Sequence, residues 1–193
     1  MKENLLEATA SVIVSGMYEY TDGTFSESFI KTKQVRGIVG YADRTEILIW
    51  CLRQKKTIWS SEVWIAGVFE NCNGWSATSE ILMRAKEYGI IVPAAQYCAD
   101  YTEDGVEKGS AFMPTFADCE KLQPFLRLVK KAYEKLGLAD FDVPIWLASE
   151  DSLTPATTVW LMNMDYGNRF RDYKYLRGGV SGYYVRPLRR VLL

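Results

Sequence analysis

The chain reads as an α+β domain, with short strands flanking helices in the middle of the chain. Short alternating apolar runs fill residues 18–68, apolar residues recur at helical spacing between 78 and 137, and strand-like runs return after Phe141. Strands, then helices, then strands point to segregated layers rather than alternating βαβ units. At 193 residues, 48% of them hydrophobic, the chain has the length of one domain and enough apolar content for a packed core. The single candidate boundary lies near Thr32, before the first convincing strand. It separates an N-terminal extension, residues 1–31, from a domain of residues 32–193. No internal repeat or low-complexity tract interrupts it.

Taken in order, Asp22-Gly23 is a turn pair. Residues 35–41 and 45–52, rich in Ile, Leu and Val and joined by the polar corner Ala42-Asp43-Arg44, predict a β hairpin, and residues 59–68 predict a third strand. A helix is expected over 78–89, where Ile81, Leu82, Ala85 and Tyr88 recur at helical spacing, Thr78 caps the start and Gly89 ends it. Residues 93–101 suit a second short helix. Thr115 caps a third that holds Phe116, Cys119 and Leu122. Pro124 fits the first turn of a fourth, whose buried stripe is Leu128, Val129, Ala132, Tyr133 and Leu136, with Gly137 as its stop. Strands are expected at 143–148, 159–166 and 182–188.

Composition narrows the function. Lys+Arg 23 against Asp+Glu 24 gives a net charge of -1, so no global field recruits nucleic acid or an anionic membrane. The chain has no His, which removes the commonest general base, the usual partner of a Ser or Cys nucleophile and the commonest metal ligand. Carboxylate pairs, Lys bases and thiolates remain open to an enzyme. Cys51, Cys72, Cys98 and Cys119 form no CxxC and are expected as isolated buried thiols, with disulfides open to an exported protein. The apolar stretch 8–14 is too short and too polar for a signal segment or a membrane span, so no leader is visible and no membrane insertion is expected.

Residues 160–184 are the richest segment. Trp160, Tyr166, Phe170, Tyr173, Tyr175, Tyr183 and Tyr184 are interleaved there with Asn, Asp, Arg and Lys. Rigid aromatics mixed with adaptable polar groups suit a recognition surface; a solvated hairpin with a few core aromatics has the same composition. If 159–166 is a strand, alternation puts Trp160, Met162 and Met164 on a core face and Leu161, Asn163 and Asp165 on the other. That second face and the loop 166–181 would be open to a ligand. Residues 160–193 carry seven Lys/Arg and two Asp/Glu, but Arg186, Arg189 and Arg190 lie in the terminal strand region, and a nucleic-acid patch is not expected. Ser149, Glu150 and Asp151 could suggest acid/base work, yet neighbours on a strand face opposite ways, and structural hydrogen bonds at the strand end are the better expectation for Ser149 and Glu150.

The C-terminal half carries an ordered set of motifs: Gly109-Ser110-Ala111-Phe112-Met113-Pro114-Thr115, then Trp146-Leu147-Ala148-Ser149-Glu150, Trp160, Gly167, Lys174 and Tyr184-Val185-Arg186-Pro187-Leu188-Arg189. This order resembles bacterial and phage C-type-lectin-fold proteins with the pattern G-x-x-LPT…WSSTE…AW…G…K…VRPVR. The match spans residues 95–190, about half the chain. Met113 stands where the pattern has Leu, Leu147 and Ala148 interrupt the Ser/Thr run before Glu150, and Leu188 replaces a Val. Upstream, Tyr20-Thr21-Asp22-Gly23-Thr24 and Gly37-Ile38-Val39 resemble leading segments of some gut-bacterial relatives. Some members are variable proteins of diversity-generating retroelements, in which the segment between the WSSTE-like and VRPVR-like motifs is hypermutated. Carried over, that implies a ligand-binding segment of residues 151–183. Formylglycine-generating enzymes share the implied fold but use cysteines near the C-terminus, whereas the last Cys here is Cys119. Animal-lectin calcium binding needs paired Glu-Pro-Asn-like and Trp-Asn-Asp-like motifs, and Trp160-Leu161-Met162-Asn163 is not one. No metal or cofactor is expected.

Together these lines predict a non-enzymatic ligand-binding domain on a cell or virion surface, an adhesin for a protein or glycan receptor. Its expected contacts are Leu161, Asn163, Asp165, Tyr166, Asn168, Arg169, Arg171, Tyr173, Tyr175 and Arg177. The alternative is a structural or assembly domain of a pilus or phage tail, with the aromatic segment buried against another subunit. Oligomeric state is left open.

Overall fold

In a computed structural model that describes residues 12–69, 72–138, 141–175 and 182–193, the chain is α+β and built around two sheets. One has six strands in the order β2-β1-β3-β4-β11-β6: β1 Tyr18–Tyr20, β2 Phe25–Ser26, β3 Val35–Ala42, β4 Glu46–Cys51, β6 Ala111–Phe112 and β11 Leu188–Leu192. The other has five in the order β5-β10-β7-β8-β9: β5 Lys55–Lys56, β7 Pro144–Glu150, β8 Thr158–Asn163, β9 Arg169–Tyr173 and β10 Tyr184–Val185. The expected hairpin is β3 and β4, turned at Asp43, whose Oδ1 accepts from the Thr45 and Glu46 amides at 2.7 and 2.9 Å. Residues 18–26, expected within the extension 1–31, are part of the same sheet: β1 pairs with β3, Tyr18 opposite Ile38. Tyr18 and Tyr20 are fully buried there, an apolar drive that the short polar stretch after them obscures.

Among the described residues four α-helices pack on the sheets. Helix α1, Gly74–Tyr88, starts four residues before the expected Thr78 because the Asn73 side chain caps it, accepting from the Ser76 amide at 3.0 Å. Thr78 sits inside the helix, donating to the Gly74 carbonyl and accepting from the Met113 amide. Helix α2 is Pro93–Ala99. Helix α3, Phe116–Leu122, opens with a reciprocal capping box between Thr115 and Asp118. Pro124 lies in a single 3-10 turn that leads into α4, Leu126–Lys135. The buried stripe of α4 is Leu126, Val129, Ala132 and Tyr133; Leu128, expected at its start, is exposed and Leu126 takes that place one turn before Val129.

The five-stranded sheet is the middle layer, and this decides what its strands can show to solvent. Through Ile145, Leu147 and Met162, with Met164 beside them, one face packs on Trp50 of the other sheet, Leu122 of α3 and Val129 of α4. The opposite face packs on a second core made with α1, α2 and residues 59–68, including Trp59, Trp64, Ile81, Trp146, Val159 and Leu161. Strands β7 and β8 are therefore covered on both sides, the setting in which near-continuous apolar runs replace alternation.

Two expected strands resolve differently. Residues 59–68 join no sheet. Their amides are taken by other partners: Trp59 and Ser60 donate to the Lys174 carbonyl, Trp64 to the Ala156 carbonyl, and Ala66, Gly67 and Val68 to the Glu150 carboxylate. The expected strand 182–188 is cut at Arg186-Pro187, where the chain leaves β10 in one sheet and enters β11 in the other. Pro187 has no N–H for a ladder, and its carbonyl accepts from the Cys51 amide at 3.0 Å.

Candidate functional site

The candidate segment, residues 151–183, comprises a turn, the β8–β9 hairpin and the chain after it. Its root is the C-terminal end of β7. Glu150 is fully buried and its carboxylate gathers three successive amides, Ala66 and Gly67 at 2.7 Å and Val68 at 3.2 Å. Gly67 has φ +75°, and this left-handed residue between its neighbours bends the backbone so that consecutive N–H groups converge on one anion. Lys174, also fully buried, closes the arrangement. Its ammonium pairs with Glu150, donates to the Trp64 carbonyl at 2.8 Å and lies 4.6 Å from the centre of the Trp59 ring. Burial pulls the Lys174 pKa below the ordinary lysine value, with the Glu150 charge working in the opposite direction. A buried charge pair is tolerated when most of its hydrogen-bonding capacity is met: the carboxylate accepts from three amides, and the ammonium donates to Glu150 and the Trp64 carbonyl and faces the Trp59 ring. Ser149 and Glu150 thus make structural hydrogen bonds, Ser149 Oγ accepting from the Phe116 amide at 2.9 Å.

Asp151 organises the turn that follows. It accepts from the Leu153 amide and from the Thr154 and Thr158 hydroxyls, and both its oxygens lie 3.2 Å from Arg171 Nη1. Burial opposes its ionisation, but these donors prevail and hold the carboxyl below its usual range. At the other end of the hairpin, Asn163 exchanges backbone bonds with Gly167 and Asn168, and Asp165 forms an ion pair with Lys130 at 3.1 Å. The tip is fixed to α4 rather than free. Along β9, Arg169 stacks 3.9 Å from the Phe116 ring centre and Arg171 lies 5.4 Å from that of Trp160. On the opposite face Asp172 accepts from the Tyr183 hydroxyl at 2.6 Å, a bond that with burial pushes the phenol up to about 12.

The ten expected contact residues divide accordingly. Leu161 is a correction: it has no exposed surface, because the core under α1 and α2 covers the face on which it was expected to meet a ligand. Asn163, Asp165, Arg169 and Tyr175 are half-buried, the first three engaged in the turn, the Lys130 pair and the Phe116 stack, and the Tyr175 ring 6.2 Å from that of Tyr173. Tyr166, Asn168, Arg171 and Tyr173 are exposed, Tyr166 by 77% and Tyr173 by 40%. Arg177 lies outside the described residues. Tyr166 sits in the turn that precedes β9, whereas Arg171 and Tyr173 lie along β9 itself, the edge strand of the five-stranded sheet.

Sequence reasoning counted Lys174 among the surface polar residues of this segment. Among the described residues no helix is long and apolar enough to cross a membrane.

No protein-family model matches the chain, and no curated protein matches it. Among solved structures it is similar to a fimbrial protein from Bacteroides ovatus ATCC 8483, with 11% sequence identity and a TM-score of 0.62. The likeness covers 91% of this chain and 48% of that one, so the chain spans about half the length of the fimbrial protein. At this identity the likeness concerns the fold.

Proposed function

We propose that this chain is a non-enzymatic assembly domain of a bacterial surface filament, one unit of a longer subunit. The observation that carries the reading is the likeness to the fimbrial protein, which runs through nearly all of this chain and about half of that one. The lack of histidine supports keeping it apart from the enzymes. A C-type-lectin-like scaffold is part of the proposal. It is supported by the sequence pattern and by the meeting of two of its motif residues, Glu150 and Lys174, as one buried pair. The test is to shear filaments from the source cells and label them with antibody to this domain. Label along the filaments or at their tips supports the reading; protein retained in the cell body with none on filaments overturns it.

A second reading, a ligand-binding adhesin or retroelement variable protein on a cell or virion, is favoured by one observation: Tyr166, Asn168, Arg171 and Tyr173 are exposed on a hairpin anchored by buried neighbours. Diversification of residues 151–183 would then spare Glu150-bound Lys174 and the core residues Val159 and Leu161, and fall on exposed positions. Sequencing the locus across a natural population tests this. Variation spread evenly over buried and exposed positions, or absent from the segment, would count against it. For a protein or glycan receptor, Tyr166→Ala with Tyr173→Ala should abolish capture without lowering the melting temperature.

A further inference from the structure

Far from the β8–β9 hairpin in sequence, α1 and α2 enclose a cleft of about 710 Å3, within the range of small-molecule sites. Its walls are fixed. Only residues 89–92 join the two helices, Gly89 closes α1 in the left-handed conformation at φ +70°, the Ile90 amide returns to the Ala85 carbonyl at 2.8 Å, and Pro93 starts α2. Leu82, Ile90, Pro93 and the Tyr97 ring give it an apolar lining. Its charge is unbalanced. Lys55 from β5 and Lys86 from α1 both line it, and neither forms an ion pair among the described residues. The single lining carboxylate, Asp100, is taken up by Lys108 at 2.8 Å and Gln96 Nε2 at 2.6 Å. Lys55 Nζ stands 5.7 Å from the centre of the Tyr97 ring, which holds its cation over the apolar lining.

We infer that this cleft binds a small amphipathic organic anion, an aromatic or branched apolar body with one acid group. The body covers Leu82, Ile90, Pro93 and Tyr97, and the acid group is compensated by Lys55 and Lys86. Lys55 and Lys86 are both exposed, so they give an anion a modest preference over a neutral molecule of the same shape, and a bare inorganic anion would leave the apolar lining uncovered. The inference is independent of the role assigned to residues 151–183.

The test uses the full chain and two matched probes, 2-naphthoate and the neutral 2-naphthamide, followed by amide NMR shifts. Naphthoate should shift amides within residues 82–97 and bind at least ~10-fold more tightly than naphthamide. The double variant Lys55→Glu/Lys86→Glu should lose that ~10-fold preference while keeping naphthamide binding and the melting temperature; Lys55→Gln/Lys86→Gln replaces it if charge reversal perturbs folding. Equal affinity for the two probes, shifts confined to other parts of the chain, a preference that survives the variants, or no shift at about 10 mM naphthoate would each overturn the inference.

Discussion

Lys174→Met isolates the buried pair that anchors the candidate segment. The substitution keeps most of the alkyl volume beside Trp59, so little cavity is created, but it removes the cation from Glu150 and the donor from the Trp64 carbonyl. Glu150 is then a buried anion held by three amides alone. Breaking a buried pair in this one-sided way costs about 3–5 kcal/mol. For a domain of this size each kcal/mol moves the melting temperature by about 2–4 °C, so a fall of roughly 6–20 °C is expected. Calorimetry and urea unfolding both read it, the latter as a lower midpoint at unchanged slope. Glu150→Gln supplies the second arm. Its amide nitrogen would face a backbone N–H, and the double variant should cost less than the two single losses together, since the pair is broken only once. A Lys174→Met loss under about 1 kcal/mol, or full additivity of the two changes, would refute the account of Lys174 as the indispensable counter-charge.

Leu161→Ala should destabilise by about 2–5 kcal/mol as a core truncation, whereas Tyr166→Ala should stay within about 0.5 kcal/mol; urea midpoints distinguish them, and the reverse order would return Leu161 to the surface. Iodoacetamide on the native protein, read by mass spectrometry, should label Cys72 and spare Cys51, Cys98 and Cys119, which are free but fully buried, with burial pushing their thiols to higher pKa; all four should react in urea. Asp22, Asp43, Asp100 and Asp165 all titrate below the ordinary Asp value in the folded chain, held by Lys33, by the Thr45 amide and hydroxyl, by Lys108 and by Lys130 respectively. Their contribution to stability is full well above the unfolded Asp value of about 3.9, starts to fall about one unit above it and is lost as pH drops through the depressed folded values, so the urea midpoint should decline from about pH 5 to about pH 2.

Much of the fold was legible because local chemistry and tertiary structure agree. The β3–β4 hairpin follows from its apolar alternation and Asp43, α3 from the Thr115 capping box, and the end of α1 from Gly89. What escaped was decided at a distance. Residues 59–68 have strand composition, yet the amides of Ala66, Gly67 and Val68 go to a side chain more than 80 residues away and those of Trp59, Ser60 and Trp64 to the carbonyls of Lys174 and Ala156, for which no local pattern exists. Strand β9 was read as loop because Arg-Phe-Arg-Asp-Tyr is polar, the composition an edge strand tolerates and a central one does not. In the candidate segment, four of the ten residues expected at a surface, Tyr166, Asn168, Arg171 and Tyr173, are exposed. The sequence pattern could not reveal that a second core covers Leu161, since alternation along one strand says nothing about how many layers lie above it.

The placement of β10 and β11 bears on how the chain reaches its native state. They follow every other described element, yet each takes an interior position: β10 between β5 and β7, and β11 between β4 and β6, with Leu188 opposite Trp50. The five-stranded sheet cannot be completed before residue 185 has been synthesised, nor the six-stranded one before β11, so until then a nascent chain holds four strands with an unfilled neighbour. Such long-range closure belongs with slow folding, and it leaves β4, whose Ile-Leu-Ile-Trp run is among the most apolar in the chain, as the stretch in greatest need of shielding during that interval.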